Sequence, residues 1–351
     1  MRHVGAAPAE RARGSGRAES WVGTGVDPAE DDAAVEHPVA LSLGATGPVV
    51  LAVSGGMDSM ALLHATVRAM PASLAAVATF DHGTGGHAGA AVELVAARCA
   101  AYGVTCDQGR APAGTPGTEA AWRAARWHFL RERAAHHDAR VVTAHTRDDH
   151  LETLIIRILR HAGARGLAGL DADGAVVRPW LTVRRAAVTR YAARHGVRYV
   201  EDPSNQSRAF LRNRVRLDLL PALLRVRPML DAELLAVADA AARWRRDIEH
   251  LVAAIHPVRL DPDGLSIAAA DLVHYDGAAL AIVWPVLAAR VGLALDRRGT
   301  TRLAAFTKRG KVGGAMQLSG GYEVRRSTFS FVLRRGDGAG RVGSGRTSRG
   351  R

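Results

Sequence analysis

The chain has 351 residues, 48% of them hydrophobic, and a formal net charge of +13. That length and apolar content suffice for two domains, while no apolar stretch approaches the roughly 20 residues that cross a bilayer and the first residues lack the apolar core of a secretory signal. Cys99 and Cys106 are too few and too oddly spaced for a disulfide framework or a thiolate metal site, so a cytoplasmic protein without membrane contact is expected.

Residues 1–45 hold Ala, Gly, Pro and charge without periodicity and read as a disordered extension. They carry four arginines and seven acids, a balance of −3, and the basic tail 337–351, also read as disordered, carries four arginines and one acid, a balance of +3. The tails cancel, so the whole excess of positive charge falls on residues 46–336. A folded region with that balance favours a polyanionic partner, nucleic acid first.

From Pro48 the chain alternates strand and helix. The pattern predicts a strand at 48–53, a helix to Ala69 stopped by Pro71, a strand at 74–80, a helix at 88–102 ended by Gly103 and a short strand at 104–106. A helix from Glu119, capped by Thr118, leads to a strand at Arg140–His145 and a helix from Asp148. Short strands follow at Val176–Trp180 and Val197–Val200, either side of a helix from Arg184 to His195. Repeated βα units imply a doubly wound parallel α/β sheet over 46–205, with ligands at the carboxyl ends of its strands. Beyond Asp202-Pro203-Ser204-Asn205 the prediction is a helical linker, 206–256, with a basic helix at 208–220 and a long amphipathic one at 229–255. A small α+β domain, 257–336, ends in paired strands around the turn Ser319-Gly320-Gly321.

Two segments carry chemistry. Ser54-Gly55-Gly56-Met57-Asp58-Ser59 joins the first strand to the first helix. Paired glycines let the backbone approach a ligand closely, and the helix N-terminus presents N–H groups to an anion, phosphate above all. No Gly-Lys-Ser/Thr follows, so this is not a Walker A loop, and an acid, Asp58, stands in the turn. An acid beside phosphates implies a cation between them, which makes Asp58 the candidate contact to Mg²⁺. The second segment, Thr143-Ala144-His145-Thr146-Arg147-Asp148-Asp149-His150-Leu151-Glu152-Thr153, lies at another strand-to-helix junction. Thr146 and Asp149 have capping-box spacing, and Leu151, Leu154, Ile155, Ile158 and Leu159 form one apolar stripe. Capping explains one acid; a cation or a substrate ammonium would explain His145, Asp148, Asp149 and Glu152 together.

The first loop resembles the pyrophosphate-binding loop of the ATP pyrophosphatase superfamily, and the second segment resembles the Thr-Ala-His-x-x-Asp-Asp-x-x-Glu-Thr block of the tRNA(Ile)-lysidine synthetase family within it. Glu119–Trp127, Gly166–Leu170 before Arg178-Pro179, Glu201–Asn205, Arg212–Arg216 and Leu318–Arg326 are similar to further family motifs in the same order. The resemblance covers about residues 48–335. It implies an adenine nucleotide alpha hydrolase-like fold and a tRNA-binding C-terminal domain. The implied reaction is an ATP-dependent ligation of L-lysine to the wobble cytidine of a tRNA(Ile) with a CAU anticodon, through an adenylylated base. The implied site comprises Ser54 to Ser59 for ATP, with Asp58, His145, Asp149 and Glu152 as catalytic candidates. Arg212 and Arg216, one turn apart, and Arg123 and Arg126, likewise, are candidates for RNA or substrate contact. Family members often form dimers, so a homodimer is also expected.

The chain departs from the family pattern at Asp81-His82-Gly83-Thr84-Gly85-Gly86, where a basic side chain is missing, at Thr146 and at His150. With only Cys99 and Cys106, sulfur-carrying relatives are disfavoured. The alternatives kept open are another tRNA-base-modifying enzyme of the superfamily and a non-catalytic, nucleotide-responsive RNA-binding protein.

Overall fold

The computed structural model describes residues 28–83, 86–172, 174–262 and 264–336. The expected disorder at 1–27 and 337–351, and positions 84 and 85 of the glycine-rich departure, lie outside these. The described residues form two compact units, one of residues up to 149 with 175–205, the other of 150–174 with residues from 206 onward. Residues 150–174 therefore belong with the second unit rather than with the catalytic domain expected over 46–205.

In the first unit a five-stranded parallel sheet has the order β3-β2-β1-β4-β5, with β1 Val49–Ala52, β2 Leu74–Asp81, β3 Cys106–Arg110, β4 Arg140–Val142 and β5 Val176–Val177. The helices are α1 (Pro28–Gly44), α2 (Met57–Ala69), α3 (Gly86–Tyr102), α4 (Glu119–His136), the start of α5 (Arg147–Leu159) and α6 (Arg185–Arg194). Strand residues are buried on both faces, as a doubly wound sheet requires. Val49, Leu51 and Val142 pack with Met60, Leu62, Val95 and Val188 on one side, and Val50, Ala76, Ala78 and Val141 with Leu130 and Ala134 of α4 on the other. Thr118 caps α4, its hydroxyl accepting from the Ala121 N–H at 3.2 Å.

Two expectations fail here. Residues 28–44 are helical, and Val35, Val39 and Leu43, spaced by four, are fully buried in the same core as Trp180. The stripe is only one residue wide and is diluted by Ala and Pro38, so it shows no periodicity to a composition-based reading. Its acids supply the rest of the docking: Asp31 pairs with Arg190 and Arg194 at 2.7 Å each, Asp32 with His195 at 2.8 Å, and Glu36 accepts from the Tyr191 hydroxyl at 2.7 Å. The Arg190 hydrogen bond leads the causes that hold Asp31 below the ordinary carboxylate range. The second failure is Val197–Val200, which forms no strand. Its end is used elsewhere, the Val200 N–H donating to Gly55 O at 2.9 Å.

In the second unit α5 continues, burying Leu151, Leu154 and Ile155 while Ile158 and Leu159 stay exposed. The basic helix runs longer than expected, as α7 (211–226), and passes Pro221 through a π-helical turn at Val215–Leu219. Proline has no N–H for the helix ladder and its ring crowds the preceding turn, and a widened turn accommodates both. Then come α8 (Leu230–Ile255), β6 (Arg259–Asp261), β7 (Gly264–Ala268), α9 (Gly277–Ala289), α10 (Arg297–Arg309), β8 (Ala315–Gln317), β9 (Tyr322–Arg326) and β10 (Ser330–Arg335). The strands form an antiparallel sheet ordered β6-β7-β10-β9-β8, and Leu265, Ile267, Val324, Phe331 and Leu333 pack on Trp284, Leu287 and Leu303. Gly320 and Gly321, with φ of +68° and +75°, make the turn between β8 and β9.

Candidate active site

In an open α/β sheet, ligands bind where the strand order reverses. Here that point lies between β1 and β4, which pair in parallel with Leu51 opposite Val142. Both informative segments leave those two strands at their carboxyl ends, so segments far apart in sequence become neighbours.

The loop after β1 is built around Gly55, whose φ is +82° and where an added Cβ would lie 2.8 Å from the Ala91 Cβ. Gly56 then starts α2 without any side chain capping its first turn. The Ser59 hydroxyl braces the loop from inside, donating to Gly56 O at 2.9 Å, accepting from the Ser54 N–H at 3.2 Å and lying 3.1 Å from the Ser54 Oγ. Met57 and Asp58 are the first two residues of α2. An uncapped helix N-terminus behind a rigid glycine turn fits a phosphate group, and Asp58 beside it fits a metal-bound one.

After β4, the Thr143 Oγ1 sits 2.8 Å from the His145 Nδ1 and fixes the ring. Asp149 is buried. Its Oδ2 accepts from both the N–H and the hydroxyl of Thr146 at 2.9 Å, and its own N–H points back to the Thr146 Oγ1 at 3.4 Å, the reciprocal arrangement of a capping box. The other carboxylate oxygen accepts from the Arg185 Nη2 at 2.9 Å, while the Arg185 Nε reaches the Asp58 Oδ2 at 3.2 Å. The Arg185 backbone N–H donates to the Asp148 Oδ2 at 2.7 Å. Sequence reasoning missed Arg185, since one basic residue at a helix start gives no signal until the fold brings it beside two acids.

Arg123 is exposed and Arg126 partly buried on α4. Burial, with Arg123 adding repulsion, lowers the Arg126 pKa, and its Nε has no hydrogen-bond partner among the described residues. Burial first and the Arg126 charge second also lower the pKa of His82, just beyond β2.

In the second unit, Glu152 is almost wholly buried and gripped by the two arginines that the sequence singled out. Its carboxylate accepts from the Arg212 Nε at 2.8 Å, the Arg216 Nε at 2.6 Å and the Arg216 Nη2 at 3.1 Å. Arg212 and Arg216 therefore share a face, as their spacing predicts, with an acid between them.

A family model described as a PP-loop domain matches residues 37–223. The chain is also 34% identical over 316 residues to the tRNA(Ile)-lysidine synthase of Salinispora tropica, a match covering 84% of this chain and 92% of that relative. The chain belongs to the tRNA(Ile)-lysidine synthase family. Other members of the family that it is similar to are those of Burkholderia mallei, 36% identical over 217 residues, and Treponema pallidum, 37% identical over 229. Those matches cover 59% and 58% of this chain, and the chain spans under half of those two relatives, 44% and 48% of their lengths. Among solved structures, a U34-tRNA thiolase from Methanococcus maripaludis has a similar fold, with a TM-score of 0.50 at 14% identity over 59% of this chain and 78% of that one. The family match spans both strand-to-helix junctions, Ser54 to Ser59 and Thr143 to Thr153. No described helix is long and apolar enough to cross a membrane.

Proposed function

We propose that this chain ligates L-lysine to the wobble cytidine of a tRNA(Ile) bearing a CAU anticodon, using ATP and releasing AMP and pyrophosphate. The observation that carries the proposal is the pairing of β1 with β4, which sets the glycine loop and its Asp58 beside the junction bearing His145 and Asp149. The cytosine carbonyl oxygen attacks the α-phosphorus of ATP and pyrophosphate departs. The lysine amine then attacks C2, the ring carbon bearing the adenylylated oxygen, and gives up a proton as AMP departs with that oxygen, which leaves lysidine.

Each residue has a part in this scheme. Ser54 to Ser59 cradle the pyrophosphate through backbone N–H groups, an electrostatic role that needs no protein nucleophile. A Mg²⁺ bound with ATP would neutralise phosphate charge, and Asp58 is the residue that would meet it. His145, its ring set by Thr143, is the candidate to take the proton from the attacking amine. Asp149 holds the start of α5 in register. Glu152 keeps Arg212 and Arg216 as a preorganised cationic pair for RNA, with Arg123 and Arg126 as further contacts to substrate. A cytoplasmic homodimer accompanies this scheme.

Incorporation of labelled lysine into a CAU-anticodon tRNA(Ile) transcript, with ATP and Mg²⁺ and then mild alkali, tests the proposal. Label that survives alkali and disappears when the wobble C is changed to U is expected. A protein that binds ATP and this tRNA yet transfers no label would overturn the proposal.

A further inference from the structure

Arg185 occupies an unusual position, at the first residue of α6, joining acids from both strand-to-helix junctions. Its guanidinium meets the Asp58 Oδ2 at 3.2 Å and the Asp149 Oδ1 at 2.9 Å, and its backbone N–H holds the Asp148 Oδ2 at 2.7 Å. The three side chains are largely withdrawn from water, with 22% of Arg185, 24% of Asp58 and 9% of Asp149 exposed. Asp149 divides its two oxygens, one to the Thr146 cap and one to this guanidinium. Two acids that would otherwise repel each other in a partly dry crevice are thus kept together by a side chain that carries its charge at every working pH.

Mg²⁺ beside nucleotide phosphates is held by one or two carboxylates, and Asp58 and Asp149 are the two acids this crevice offers. We propose that Arg185 is a positioning residue that serves as a resident counter-cation. It sets the spacing of Asp58 and Asp149, and it closes the pair to free divalent metal until nucleotide arrives with its own. Metal then enters only as its ATP complex, because the added phosphate charge compensates for sharing the crevice with a guanidinium. This rests on the reading of Asp58 as the residue that meets the nucleotide's metal.

The test is Mn²⁺ binding to the full chain without nucleotide, tRNA or lysine, read from the loss of the free-ion electron paramagnetic resonance signal. Wild type is expected to bind Mn²⁺ weakly, and Arg185→Met to bind it at least about tenfold more tightly, since a competing charge has been removed while the carboxylates remain. Arg185→Lys keeps the charge and should resemble wild type. The gain in Arg185→Met should vanish when Asp58→Asn is added, which a general loosening of the fold would not produce. Unchanged affinity in Arg185→Met, or a gain that survives Asp58→Asn, overturns the proposal. If Arg185→Met does not fold, as judged by circular dichroism, wild type alone decides. Tight binding of Mn²⁺ by wild type without nucleotide overturns the proposal, and Mn²⁺ retained by the protein in equilibrium dialysis only when a non-hydrolysable ATP analogue is present, against a control of analogue alone, supports it. The assay contains neither tRNA nor lysine, so its outcome and that of the lysine-transfer experiment are independent.

Discussion

Replacing Glu152 by alanine takes away the carboxylate that Arg212 and Arg216 both grip. The side chain is 1% exposed and accepts charge-assisted hydrogen bonds at 2.6, 2.8 and 3.1 Å from those arginines. Breaking a fully buried ion pair by removing one partner costs about 3–5 kcal/mol, because a charge is left behind without its counter-charge. Here the stranded guanidinia are 38% and 29% exposed, so water recovers part of that cost and the expected loss is about 2 kcal/mol. Glu152→Gln should lose a little less. Its amide keeps one acceptor oxygen but turns an NH₂ toward a guanidinium. Urea unfolding followed by far-ultraviolet circular dichroism measures the loss as a lower midpoint at unchanged slope. A double-mutant cycle with Arg216→Ala should return a coupling of about 1 kcal/mol or more. An alanine variant within about 0.5 kcal/mol of wild type, or a cycle that is additive, would refute the reasoning and leave Glu152 free for a chemical role.

Gly55→Ala should destabilise the first unit by about 3 kcal/mol, combining a left-handed residue with a Cβ pressed on α3, and should weaken ATP binding, as urea unfolding and calorimetry would show. Asp58→Asn is expected to lower turnover by about two orders of magnitude or more while leaving tRNA affinity intact, which separates a catalyst from a binder in filter-binding and single-turnover assays. For Asp31, held below the ordinary aspartate value of 3.8 chiefly by Arg190, the folded state stays ionised where the unfolded chain takes up a proton. Its contribution is therefore present above that value and lost as the pH falls through the lower folded pKa, and Asp31→Asn should flatten the acid limb of the stability curve. Burial keeps His64 neutral below the ordinary histidine value of 6.5, with repulsion from His195 and Arg68 adding to the effect. The unfolded state then binds more protons there, so stability falls on acidification through that region, and His64→Gln should remove this slope from melting temperatures taken across it.

What could be read from the residues was what local pattern encodes. Continuous apolar runs, such as Val49–Val53 and Val141–Val142, announced buried parallel strands, and Ser54–Ser59 and Thr143–Glu152 announced strand-to-helix junctions before any neighbour was known. The parts that escaped depend on tertiary neighbours. α1 earns its place through three apolar residues and a set of acids whose partners, Arg190, Arg194 and His195, lie about 160 residues away. Val197–Val200 had strand-like residues, yet the backbone group it offers is taken by Gly55 O. Arg185 is one arginine of many until α6 delivers it to Asp58 and Asp149. The helix expected at 208–220 runs on to Val226, because a π-turn carries the chain past Pro221.

The register that joins β1 to β4 also sets a timetable. Val49 to Leu51 pair with Arg140 to Val142 across about 90 residues of intervening chain, whereas their other partner, β2, follows within about 25. During synthesis at about 5–20 residues per second, several seconds separate the completion of β2 from that of β4, the strand that closes the second edge of β1. The glycine loop exists in that interval without the junction that supplies Asp149. Ligand binding therefore reports the completion of the sheet's last central pairing, and slow codons or a chaperone acting between residues 53 and 140 would change the yield of competent protein without altering any residue of the site.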